Sequence, residues 1–478
     1  MQKTGGHDGA PGQSGRDAGG PALLRWEAGQ TLRLALPLVV AQLAFIAIGA
    51  TDMVMIGWLG PDQLAAGAIG NNIFFPSYLF CMGIIVAVAP IVAQALGARQ
   101  YRAVRRSVRQ GFWVAILLGL AFSVVLWQGE AILLLLGQEP VTAARAGSYM
   151  RAAVGGFTFS LCFVVLRSLL TAHSRPRAVV AAGVAGALLN LAGNWLLMFG
   201  SFGLPALGIV GAGLSTAFAN IAMFLGLLVF VLRDRRFRRY AILARFWRAD
   251  WPRFFEILRI GFPIGLAILA ESGLFAAAGV MMGWIGTAEL AAHGIAMQCS
   301  AVAFMLPLGI AQAATVRVGY AAGAGRFDEI GRAGWVALAI GAGFSCLSAG
   351  AFLLIPEALA DVFLDLSRPD SRAVMLLTAS YLGIAALFQL MDGAQVVAAG
   401  ALRGLKDTRV PSLIAVIGYW PIGFVAAYLL AFHGGLEGQG IWLGLASGLT
   451  VVAVLLVRRF HSRSRWLQAG VPAPAGAT

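Results

Sequence analysis

Three carboxylates stand deep inside apolar stretches of the chain: Asp52, Glu271 and Asp392. The remaining acidic residues fall in polar segments or at the ends of apolar ones. Holding a carboxylate at the centre of a membrane-crossing helix costs about 2.5–3.5 kcal/mol, so three of them call for a use. Such a group can carry a proton, offer oxygen ligands to a hard cation such as sodium, or attract an organic cation. A site that takes two of these in turn is an antiport site, because the arriving coupling ion expels the cargo.

Uncharged polar residues accompany the acids. Asn190 and Asn194 are four residues apart, on one face of a helix. They are candidates either for carbonyl ligands near Asp52 or for plain interhelical hydrogen bonds. Thr216 carries the same ambiguity. Gln389 and Gln395 flank Asp392 and are candidates for lining a cavity. No lysine or arginine falls where it would pair with the three acids inside the predicted spans.

Enzyme signatures are missing. The five histidines are scattered, and neither HExxH nor the GxxxxGK[ST] phosphate loop occurs. The four cysteines (Cys81, Cys162, Cys299 and Cys346) have no CxxC spacing and read as small buried hydrophobes. The expectation is therefore a protein that is not an enzyme and needs no cofactor beyond a coupling ion.

The elements that must position these residues are membrane spans. Hydrophobic residues make up 59% of the chain and charged ones 12%, against about 25% charged in a typical soluble domain. Residues 34–51 and 63–98 carry no charge at all, and a spanning helix needs roughly 20 apolar residues. Apolar runs predict twelve helices, over 33–57, 71–96, 111–129, 148–171, 177–200, 208–232, 257–284, 294–321, 333–355, 376–402, 410–432 and 440–458. They read as helices because a lipid-exposed backbone must satisfy its own polar groups.

The formal charge of +14 does not point to nucleic acid. The tails and alternate loops on one side hold 31 of the 35 lysines and arginines. The positive-inside rule then places both termini in the cytoplasm. RDRRFRRY at 233–240 reads as an anchor near anionic lipid.

The chain also repeats itself. A shift of 226 residues aligns Pro37 with Pro263, and GWLGPDQLAA at 57–66 with GWIGTAELAA at 283–292. From 37 to 98 the match is 21 of 62 ungapped positions, where this Ala/Gly-rich composition predicts roughly one in ten. Each half holds six helices, an even number, so the halves are parallel repeats with substrate expected between them. Position 52 corresponds to Ala278, and Glu271 to Phe45. The acids are thus offset by seven residues, two helical turns, on equivalent helices.

ATDMVMIGWLGPDQLAA (50–66), PIVAQALGARQ (90–100), FPIGLAILAESGLF (262–275), LPLGIAQAATVRVGYAAGAG (306–325) and QLMDGAQVVAAGALRGLKDT (389–408) occur in order. Together they resemble the multidrug and toxic compound extrusion (MATE) family, NorM-like branch, over about residues 30–460. The resemblance implies an N-lobe (31–235) and a C-lobe (256–460) forming a V. A disordered cytoplasmic tail (1–30), a cytoplasmic basic linker (236–255) and a C-terminal tail (461–478) complete the expected layout.

It further implies a cation-coupled (Na+ or H+) efflux antiporter of the bacterial inner membrane. Such a protein exports small organic cations by alternating access, as a monomer in membrane lipid. Asp52 resembles the family's helix 1 acid, with Asn190, Asn194 and Thr216 as its N-lobe polar cluster. Glu271 and Asp392 resemble the C-lobe cation site, so any Na+ is expected at Glu271, Asp392 or Asp52. Asn194 stands where many relatives have Asp. Phe388, another candidate for lining the cavity, stands where some sodium-coupled members have Tyr. The coupling ion stays open on both counts. A lipid-linked precursor flippase of the same superfamily is the alternative; its anionic cargo would call for basic residues in the cavity.

Overall fold

The computed structural model describes residues 21–200, 203, 205–364 and 371–469. Among these there is no strand. Twelve helices are long and apolar enough to cross a membrane. They are α1 (Pro21–Trp58), α2 (Pro61–Gly97), α3 (Tyr101–Trp127), α4 (Pro140–Ala172), α5 (Pro176–Phe199), α6 (Ile209–Arg233), α7 (Trp251–Ile285), α8 (Thr287–Gly323), α9 (Phe327–Leu354), α10 (Ser371–Gly404), α11 (Arg409–His433) and α12 (Glu437–Gln468). Each predicted span overlaps one of them.

Most helices run further than their apolar core, because a helix continues past the bilayer wherever its polar end finds partners. The disordered tail expected through residue 30 is corrected by one such case. Residues 21–30 form the first turns of α1. Glu27 is 2% exposed and is held by Arg317 of α8 at 2.5 Å, with Trp26 against the same guanidinium at 5.5 Å. Residues 1–20 lie outside the described residues. At the other terminus α12 extends through Gln468, and Arg459 and Arg463 share Asp407 at 2.8 and 3.2 Å.

Local breaks follow the prolines. α2 pauses at Val86–Ala87, where Pro90 lacks the N–H that would bond to the carbonyl four residues back. α11 widens into π-helical turns at Gly418–Phe424, around Pro421, and again at Leu429–His433.

The helices gather as two six-helix bundles, α1–α6 and α7–α12. Between the bundles α1 packs on α8 and α9, while α7 packs on α2 and α3. Under the sequence repeat these pairings exchange, so the contact is self-complementary in the manner of a two-fold interface. Two repeat-related glycines set its closest approach. A Cβ on Gly97 would lie 2.1 Å from the Tyr320 carbonyl oxygen, and one on Gly323 would lie 1.9 Å from that of Gln94. Only a bare backbone lets α2 and α8 cross this closely. Gln94 Nε2 adds a 2.8 Å bond to the Gly404 carbonyl. All these contacts sit at the arginine-rich end.

The segment between the bundles is fastened to the first one. Trp113 Nε1 donates to the Phe246 carbonyl at 3.0 Å and Arg109 Nη1 to that of Arg245 at 3.1 Å. Arg106 pairs with Asp250, and the hydrogen bond from that guanidinium holds the Asp250 carboxyl below its usual range. His173, just past α4, bonds through Nδ1 to the Leu169 carbonyl at 2.8 Å and through Nε2 to the Tyr240 hydroxyl at 2.7 Å. A carbonyl only accepts, so the Nδ1–H tautomer is the one in place. Burial pushes this imidazole down to about 4.

Candidate functional site

The sequence-singled residues assemble into two buried polar clusters, one in each bundle. In the first, α1 delivers Asp52, which is 4% exposed. The i, i+4 spacing on α5 turns Asn190 and Asn194 toward it, and α6 supplies Thr216. Asn190 and Asn194 donate Nδ2–H to Asp52 Oδ1 at 3.0 and 2.7 Å, and the Thr216 hydroxyl donates to Oδ2 at 2.5 Å. Asn190 Nδ2 also lies 3.0 Å from Thr216 Oγ1, and Ser215 Oγ ties the Asn190 carbonyl at 2.8 Å.

The amide oxygens of Asn190 and Asn194 have no donor. A buried acceptor left unpaired costs about 1–3 kcal/mol, so this pair asks for a reason. Together with the carboxylate they form a hard-oxygen set of low charge. That chemistry suits a proton or a small monovalent cation better than a transition metal. No group of three or more His, Cys, Asp or Glu side chains placed to hold a metal ion occurs among the described residues.

In the second bundle Glu271 comes from α7 and Gln389, Asp392 and Gln395 from α10. Gln395 Nε2 lies 3.4 Å from Glu271 Oε1 and also bonds the hydroxyl of Tyr419 on α11. That hydroxyl reaches Glu271 in turn, which completes a Gln395–Tyr419–Glu271 relay. Asp392 is close enough for its charge and that of Glu271 to act on one another. Asp392 Oδ1, Gln395 Oε1 and both polar atoms of Gln389 are buried with no partner. The offset of the acids along the repeat is therefore matched by two clusters of different composition, one centred on a single carboxylate and one on two.

Three placements differ from expectation. Phe388 is 2% exposed and wedged between Phe275 and Trp442, with ring centroids 6.0 and 5.7 Å away. It backs the second cluster instead of lining a cavity, since a ring gains more from edge-to-face packing than from facing water. The expectation that no arginine reaches the acids is corrected at Arg403, on the last turns of α10, whose charge acts on Glu271. Arg167 is buried on α4, and Nη1 finds only Gln42 Oε1 at 3.5 Å. Both arginines sit near span ends, where a charge tally counts them as loop residues. Tyr419 has no signature of its own in the sequence, because nothing in LIAVIGYWPIGF (413–424) separates a partner tyrosine from a lipid-facing one.

The MatE family profile matches residues 37–196 and 263–429, one segment in each bundle. A probable multidrug resistance protein NorM of Mesorhizobium japonicum is 47% identical over 454 residues, covering 94% of this chain and 97% of that protein. One from Pseudomonas aeruginosa is 42% identical, covering 92% and 90%. Among solved structures, a MATE protein in complex with MaL6 superposes with TM-score 0.84 at 18% identity, over 93% of this chain and 97% of that one. The eukaryotic MATE transporter AtDTX14 gives 0.80 at 20% identity, over 94% and 100%.

Proposed function

The chain belongs to the MatE family, and from that premise we propose a multidrug efflux antiporter that exchanges organic cations for Na+ or H+ by alternating access. The observation that carries the reading is the pair of buried carboxylate clusters whose remaining oxygens lack donors. Each cluster can take a coupling ion or a positively charged cargo, and cannot satisfy both at once. On this reading the arginine-rich end faces the cytoplasm, with both termini there. The protein works as a monomer in the bacterial inner membrane, with no cofactor besides the ion.

The energetics suffice. One charge moving inward through 100 mV is worth about 2.3 kcal/mol. A hundredfold cargo gradient needs about 2.8 kcal/mol, and exporting a monovalent cation gives back the roughly 2.3 kcal/mol of one entering ion. Two ions per cycle, each with a roughly tenfold gradient of its own worth about 1.4 kcal/mol, therefore sustain it without ATP.

Dye uptake into inverted vesicles, which corresponds to efflux from the cell, tests the proposal, with a sodium gradient and a pH gradient imposed separately. Uptake under either gradient, lost in Asp392→Asn at equal protein level, is the expected result. Uptake that ignores both gradients would sink it.

The flippase alternative draws on one observation, the buried and carboxylate-free Arg167. It predicts that Arg167→Gln abolishes transport while cationic dyes are never substrates. Any saturable dye exchange decides against it.

A further inference from the structure

At the arginine-rich end, α1, α5 and α6 enclose a groove of about 1160 Å³. Its walls are apolar, with small residues such as Ala178, Ala182 and Gly186 beside larger ones such as Leu189 and Phe230, and its rim holds Arg33, Arg175 and Arg177. None of the three arginines has a carboxylate partner among the described residues. α5 begins at this same rim with Pro176 in its first turn and no side-chain cap. Its first-turn amides are therefore free, and amides so placed favour an anion.

Beyond the rim the groove runs apolar. From Arg177 to Leu189 is twelve residues, about 18 Å of helix, close to the ~15 Å hydrocarbon depth of one leaflet. The apolar track continues as the exposed face of Leu188, Leu191 and Trp195.

We propose that this groove binds one anionic phospholipid from the arginine-side leaflet. Its phosphate rests on Arg33, Arg175, Arg177 and the start of α5, and its acyl chains lie along the alanine and glycine walls. Three unpaired guanidiniums at the rim repel an organic cation, which argues against the transported cargo as occupant. The groove shares α1, α5 and α6 with the Asp52 cluster, yet none of its lining residues belongs to either cluster, so lipid retention tests the proposal apart from the antiport reading.

Native mass spectrometry of the purified full-length protein, titrated with phosphatidylglycerol or phosphatidylcholine, is the test. The wild type should retain phosphatidylglycerol selectively. R33Q/R175Q/R177Q should weaken that retention about 100-fold, since each arginine near the surface contributes roughly a factor of five. R409Q/R458Q/R465Q, which removes the same charge from exposed positions of the second bundle, should bind as the wild type does. Ala182→Trp keeps every charge and fills the groove, so it should also lose the lipid, and it carries the test if the triple variant does not fold. Equal retention of the two lipids, unchanged binding in the groove variants, or displacement by millimolar inorganic phosphate would each overturn the proposal.

Discussion

Asp52 and Asp392 are both buried carboxylates, yet their neighbours ask different things of them. Asp52 already accepts from Asn190, Asn194 and Thr216, so its replacement strands three donors. Asp392 leaves Oδ1 without a partner, so Asp392→Asn perturbs packing little and should separate function from folding. We expect that variant to lower dye resistance at least tenfold at unchanged expression, read from growth and immunoblot together. Tyr419→Phe removes the hydroxyl that links Gln395 to Glu271. A lost neutral hydrogen bond is worth about 0.5–1.5 kcal/mol, so the ion concentration for half-maximal efflux should rise two- to tenfold while maximal efflux holds. No rise would mean that the tyrosine merely fills space.

Among the elements, α2 and α8 decide how tightly the bundles meet. Gly97→Leu or Gly323→Leu drives a side chain into the opposing backbone. Overpacking costs about 1–3 kcal/mol, here charged to the closed arginine-rich end alone. Faster labelling of a cysteine introduced beside Gln94, without loss of total helix by circular dichroism, is the expected outcome. Wild-type labelling would refute that role for the glycine crossing. The helices themselves were largely legible in the sequence, since apolar runs and the 226-residue repeat locate all twelve. Their ends were not. Charge marks a membrane boundary, but Glu27 and Arg463 show that helices continue wherever a charged side chain finds an opposite charge. The site was legible to the same degree. Asp52, Asn190, Asn194 and Thr216 could be listed together, whereas Tyr419 and Arg403 are brought in by packing between helices far apart in the chain.

Across the whole molecule, the arginine-rich end is held by few but well-shielded contacts. Glu27 ties α1 to Arg317 at 2.5 Å, with Arg332 of α9 at 3.9 Å. Removing one partner of a buried pair costs about 3–5 kcal/mol, enough to invert a two-state balance. Glu27→Gln should therefore lengthen spin-label distances across this end of the bundles, and unchanged distances would rule the pair out as a latch. The docked segment adds a dependence on acid. Its His173 has a folded value near 4 against about 6.5 unfolded, so the unfolded state binds more protons between these values. Stability rises with pH across that window. On acidification from 6.5 toward 4 the loss should reach about 3 kcal/mol at most, seen as a falling melting temperature and faster proteolysis near Tyr240. His173→Gln should flatten the trend. Because Arg106 grips Asp250 and α7 starts at the next residue, almost no slack chain separates the halves. Whatever swivel the second bundle makes must turn on the bonds around Trp251 and Pro252, so the apparent tether is a short axle. Lengthening it by a few glycines there should let each half move without steering the other.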